Sequence, residues 1–302
     1  MADHGSSARA ILYAFIANLG IALAKLAAAL YTRSGSMLAE SIHSFADCGN
    51  QVLLYVGLKQ SQRPASPQYP LGQGKISYFW SFIVALMLFS VGGLFSITEG
   101  WHKLHEPEPI RQAWVALLVL GVSIGLETFS TLGCLREIKK LRKGRTLRAW
   151  LKSTRNAELV VVLGEDVAAL VGLVLAFIFV SLAAATGNPV FDAIGSIVIG
   201  VVLIIVSIFI AVRMKGLIVG RSAEEDLQAA IRAQIESSDG IEDLLNAITF
   251  QLGPQVMLAI KVRMTAGLPI EKAVENLNTL ERSIKAKFPE VKWCFFEPDV
   301  TD

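Results

Sequence analysis

Six apolar runs, each long enough to cross a lipid bilayer, constrain this chain more than any other feature. They fall near Ile11–Tyr31, Met37–Leu58, Tyr78–Ile97, Trp114–Leu135, Ala157–Ala184 and Val190–Val212. About 20 apolar residues in a helix match a ~30 Å hydrocarbon core, and there only helices or closed barrels satisfy every backbone polar group. The runs predict an α-helical membrane protein with six transmembrane helices. Composition agrees: 53% of the 302 residues are hydrophobic and only 18% charged, where ordinary soluble domains carry about 25%. A formal net charge of +2 is too small to suggest nucleic acid, so the lipid bilayer is the first expected partner.

An even number of spans puts both termini on one side. The link from Arg136 to Arg155 carries nine Lys or Arg, whereas the link AATGNP between the last two spans carries none. Basic links stay in the cytoplasm, so N- and C-termini are expected there too. Cys48, Cys134 and Cys294 are far apart with no CxxC pair, which reads as free thiols. The polar start MADHGSSAR leads directly into the first run. Nothing in it reads as a signal or transit peptide, which favours a bacterial inner (plasma) membrane.

From about Met214 the pattern changes. Glu224–Glu236 reads as an amphipathic helix, Leu244–Phe250 and Met257–Met264 as short strands with a turn at Gly253-Pro254, Ile270–Phe288 as a helix stopped by Pro289, and Val291–Glu297 as a last strand. The order αββαβ predicts a small α+β domain. The domains are therefore a six-helix transmembrane domain, 1–214, and a C-terminal domain, 215–302.

The second and fifth spans carry the most residues that lipid does not welcome. His43 and Asp47 lie four residues apart in the second, so they share one helix face and offer a nitrogen and an oxygen, a ligand set for zinc and its divalent neighbours. Glu165 and Asp166 are adjacent in the fifth. Neighbours on a helix diverge by about 100°, so one of them at most faces a given site squarely. Charges at this depth cost several kcal/mol, so a cation, a proton or a basic partner is expected. If the second and fifth spans pack together, His43, Asp47 and Asp166 supply three metal ligands, with Asn50 near the same face. Lys25, in the first span, is placed to pair with Glu40 or Glu127, and Glu40 and Glu127 are also candidates for a polar entry path.

Several segments together carry a resemblance. NLGIALAKLAAALYTRSGSMLAESIHSFAD resembles the first two spans of the cation diffusion facilitators, ending in their H-x-x-x-D metal motif. PLGQGKISYFWS resembles their P-Y-G-H-G-K signature, DAIGSIVIGVVLI their sixth span and FPEVKWCFFEPD their closing strand. SIHSFADCGNQ and GEDVAALVGLVLA are most similar to the zinc transporter 9-like branch. The resemblance covers almost the whole chain. It implies a secondary transporter and no enzyme: a homodimer exporting a divalent metal cation, Zn2+ foremost, in exchange for H+, with a ferredoxin-like (metallochaperone-like) C-terminal domain. It places ligands at His43, Asp47 and Asp166. The family's remaining ligand position falls on Val162, so Glu165, Asn50 or a water must supply the fourth contact. Tyr69, Gln73, Phe295 and Phe296 stand where the family often has histidine, which leaves the membrane site alone. The alternatives are export of Mn2+, Fe2+, Co2+ or Ni2+, favoured if Glu165 ligates, or a transport-inactive regulatory or scaffold subunit.

Overall fold

The computed structural model describes residues 2–32, 35–106, 113–142 and 144–301; the side chains of 2–4, 32, 35–40, 42, 43 and 46 lie outside that description. Helices α1 (Ala2–Thr32), α2 (Gly35–Ser61), α3 (Ile76–Met87), α4 (Phe95–His105), α5 (Ala113–Leu141), α6 (Leu147–Ser153), α7 (Ala157–Thr186) and α8 (Val190–Val219) come first. A π-helical segment, Leu88–Leu94, joins α3 to α4 in one rod. Then follow α9 (Glu225–Glu236), β1 (Ile241–Leu252), β2 (Gln255–Met264), α10 (Ile270–Lys287) and β3 (Val291–Pro298).

Among the described residues, five helical rods are long and apolar enough to cross a membrane: Gly5–Tyr31, Ile76–His105, Ala113–Leu141, Ala157–Thr186 and Val190–Val219. The other predicted span is α2. Its 27 residues reach about 40 Å at 1.5 Å per residue, so length is no obstacle. Ser41, Ser44, Asp47, Asn50 and Gln51 make it less apolar than the others, and of these Ser41, Ser44, Asn50 and Gln51 are buried. The departure from uniform greasiness sits where the candidate site sits.

The chain divides into two compact units, one of Met1–Gln60, Ser77–Thr146 and Ala157–Lys215, the other of Ser61–Ile76, Leu147–Asn156 and Gly216–Asp302. In the first, α5 lies against α1 and α7, and α1 also reaches α7. Tyr13 of α1 meets Phe129 of α5 edge to face, 5.9 Å between centroids, the arrangement the ring quadrupoles prefer. The α3–α4 rod meets α8 almost backbone to backbone: a Cβ at Gly200 would stand 2.7 Å from the Gly93 carbonyl oxygen. Small residues at such crossings let helices approach where no hydrophobic force separates lipid from protein. Large apolar side chains such as Leu30, Trp114, Ile205 and Val212 are exposed on this unit.

The second unit is built as its periodicity predicts. Along β2, Val256, Leu258, Ile260 and Val262 are all buried, every second residue, as a strand with one covered face requires. On α10 Ala273, Leu277, Leu280 and Ile284 are buried, and on α9 Ile231 and Ile235. These side chains share one core with Phe288 and Val291. The sheet order is β1-β2-β3. β1 and β2 form an antiparallel hairpin, whereas β3 pairs with β2 in parallel after the crossover that parallel pairing demands, here α10. β1 runs longer than its weak alternation predicts, with register shifts near Ile241 and Leu244. Cys294 on β3 is a free thiol that burial pushes up to about 12, so it stays protonated at neutral pH and makes a poor metal ligand.

The loop carrying PLGQGK belongs to this second unit. Gly253 turns the hairpin at φ 68°, the left-handed region that glycine enters without cost. Gly74 lies directly against it, so a Cβ on Gly74 would meet the Leu252 carbonyl oxygen at 2.1 Å, and one on Gly253 would meet the Gly74 oxygen at 2.4 Å. Lys75 Nζ lies 4.7 Å from the centroid of the Phe250 ring, and partial burial holds its ammonium below the usual lysine range. From the other link, Arg155 donates to the carbonyls of Ser222 and Ala223. Both links are thereby stitched into the α+β unit.

Candidate functional site

The adjacent carboxylates of α7 part company as the 100° rotation between helical neighbours requires. Glu165 turns to α2. Its Oε1 accepts from Asn50 Nδ2 at 3.0 Å and its Oε2 from Gln51 Nε2 at 2.8 Å. Asp166 turns to α5, where Ser130 Oγ donates to its Oδ2 at 2.9 Å. Both acids are buried. The predicted meeting of the second and fifth spans is thus made, through residues 115 and 114 positions apart.

Asp47 is half-buried on α2. His43 lies one turn earlier on the same helix, with its side chain outside the described residues, as is that of Glu40. Val162, where the resemblance places a ligand, is an apolar side chain with no exposure, one turn before Asp166. Asn50 spends its amide nitrogen on Glu165, and its Oδ1 meets no hydrogen-bond partner among the described residues. A buried carbonyl-type oxygen left in that state costs about 1–3 kcal/mol, and a cation is one thing that would satisfy it. Among the described residues no three His, Cys, Asp or Glu side chains are gathered tightly enough to hold one ion together.

Two participants escaped sequence reasoning. Gln51 is assigned no role from the sequence, yet it donates to the second oxygen of Glu165. Ser130 lies in the run TFST, where hydroxyls usually bond their own helix, as Thr128 and Thr131 do. Its bond to Asp166 leaves no mark in the sequence. The arrangement offers buried oxygen atoms on α2, α5 and α7, groups for which a cation or a proton is the natural counterweight inside a membrane.

A model of the cation efflux transmembrane domain matches residues 11–214. The chain belongs to this family, the cation diffusion facilitators, and is a multi-pass membrane protein. Among its relatives are the Xenopus laevis "Proton-coupled zinc antiporter SLC30A9, mitochondrial", 32% identical over 85% of this chain and 46% of the relative. The Arabidopsis thaliana "Metal tolerance protein C4" is 30% identical over 82% and 55%. The "Cation-efflux pump FieF" of Serratia proteamaculans is 24% identical over 88% and 84%. The chain spans about half the length of the first two.

Proposed function

We propose that this protein exports a divalent metal cation, Zn2+ foremost, from the cytoplasm in exchange for protons. The observation that carries the reading is the buried junction of α2 with α7, Asn50 and Gln51 on Glu165, which brings the helix of His43 and Asp47 to the helix of Asp166. Relatives described as a proton-coupled zinc antiporter and a cation-efflux pump support it. His43, Asp47 and Asp166 hold the cation, and Glu165 or the Asn50 oxygen makes the fourth contact in place of Val162. Metal binds the deprotonated side chains; rocking of the bundle turns the site outward, and protons arriving there compete for the same atoms and release it. Histidine suits that competition because its ordinary pKa of about 6.5 is crossed by modest changes.

The protein works as a homodimer in the inner (plasma) membrane of a bacterium, both termini in the cytoplasm. Residues 1–214 carry the cation and 215–302 join the two copies. Reconstituted alone in vesicles, it should move protons when a zinc gradient is applied; no movement would sink the export reading and leave a regulatory subunit. Titration calorimetry with zinc, manganese, cobalt and iron should show Glu165→Ala binding zinc about tenfold more weakly, the scale on which supporting groups of metal sites act. Binding equal to the parent's would strike Glu165 from the ligands. Ser130→Ala, which frees Asp166 to turn, should also weaken zinc about tenfold, and an unchanged affinity would show that Asp166 holds its orientation without that bond.

A further inference from the structure

α5 carries a line of polar groups that the site above uses only in part. Ser123, Glu127, Ser130, Cys134 and Glu137 follow at spacings of four, three, four and three, so they stand on one face of the helix. All five are buried. Two are accounted for by partners: Ser130 by Asp166, and Glu137 by ion pairs to Arg9 at 2.9 Å and Lys140 at 2.5 Å. Cys134 lies between them, with Asp166 and Glu137 as its charged neighbours.

Glu127 is different. It is 2% exposed, its Oε2 meets no hydrogen-bond partner among the described residues, and the charges that act on it are those of Asp166, Glu165 and Asp47. Ser123 Oγ, one turn further along, also meets no partner among the described residues. A side chain kept for gluing helices needs a donor facing it, as Asn50 and Gln51 face Glu165. Glu165 and Asp166 are buried acids and Asp47 a half-buried one, and such company makes a further buried carboxyl harder to keep. A cation relieves that arrangement. Glu127 lies about 5 Å along α5 from Ser130, one turn, and among the described residues no three His, Cys, Asp or Glu side chains gather to hold one ion, so we read it as a stop distinct from Asp166.

We propose that Glu127 is a second cation-binding station on the translocation route, offering Oε2 to the divalent metal as it passes Asp166. The inference rests on the export reading above and adds to it a residue from a third helix, α5. It predicts that cation binding at Asp166 survives loss of Glu127 while passage slows. In vesicles, Glu127→Gln, which keeps the shape and removes the charge, should lower kcat for zinc about tenfold with KM within about twofold of the parent. The unmodified protein supplies a second measurement that no folding defect can spoil. Dicyclohexylcarbodiimide reacts with carboxyls in apolar surroundings, and its attachment to Glu127, read by peptide mass spectrometry, should fall severalfold when zinc is added. Labelling that zinc leaves unchanged, or a parent kcat in Glu127→Gln, would overturn the station. If zinc protects Glu127 but the parent moves no protons, the export reading fails and the cation station stands.

Discussion

Replacing Asp166 by asparagine is expected to abolish zinc-driven proton movement in reconstituted vesicles, a loss of at least about a hundredfold, on the scale of removing a ligand and its charge from a metal site. The substitution is nearly isosteric and its amide oxygen can still accept from Ser130, whose bond to Asp166 Oδ2 is 2.9 Å, so what is removed is the charge and the second carboxylate oxygen. His43→Ala and Asp47→Ala should match it, because each takes one member from a set already short at Val162. The loss should not come from unfolding. Asp166 is a buried acid among the charges acting on Glu127 and Glu165, so neutralising it relieves repulsion, and the variant should melt no lower than the parent. Full transport by Asp166→Asn would remove this residue from the route. Lost transport with a sharply lowered melting temperature would mean that Asp166 acts through packing instead.

The second large effect is on stability, in the α+β unit. Gly74→Ala and Gly253→Ala should each destabilise it by about 3 kcal/mol. At Gly253 two costs combine: a side chain at φ 68°, about 1–2 kcal/mol, and a Cβ forced to 2.4 Å from the Gly74 carbonyl oxygen. At Gly74 the overlap is with backbone of the facing hairpin, the Leu252 oxygen at 2.1 Å, which no rotamer change relieves. Gly267 provides the contrast. Its φ is 77° but nothing stands within 4 Å of where a Cβ would go, so Gly267→Ala should cost only the conformational part, about 1–2 kcal/mol. Hydrogen exchange of the full-length protein in detergent, followed at the β1–β2 hairpin and at 61–76, measures all three. Equal effects at the three glycines would mean that the loop and hairpin are not locked together.

Much of the architecture was legible in advance because its code is local. A run of apolar residues is a membrane helix wherever its partners lie, and alternation over Val256, Leu258, Ile260 and Val262 marks a strand with one face covered. The order αββαβ and its turn at Gly253-Pro254 follow from the same short-range signals. The tail's boundaries differ from the predicted ones by one residue at α9, one at α10, one at β3 and two at β2; β1 extends further, by three residues at its start, where its bulges break the alternation, and two at its end. In the site, the separation of Glu165 from Asp166 onto different faces was also implicit, since helical rotation alone compels it.

The partners were not legible. Nothing in the run TFST says that Ser130 leaves its own helix for Asp166, and nothing beside Asn50 says that Gln51 takes the other oxygen of Glu165. Those bonds join residues 36 and 114 positions apart, and they depend on which helices lie side by side and at what height, which apolar periodicity does not encode. The same holds for PLGQGK: nothing in the segment itself says that Gly74 is a close-contact position against the β1–β2 hairpin. The sequence by itself determined that this chain crosses a membrane, ends in a small α+β unit and places ionisable groups on four spans, because periodicity and the cost of charge in lipid act within each helix. Only the tertiary structure decided that Glu165 answers to α2 and Asp166 to α5, and that Glu127 is buried with an oxygen that meets no partner among the described residues, because those facts arise from the packing of helices against one another.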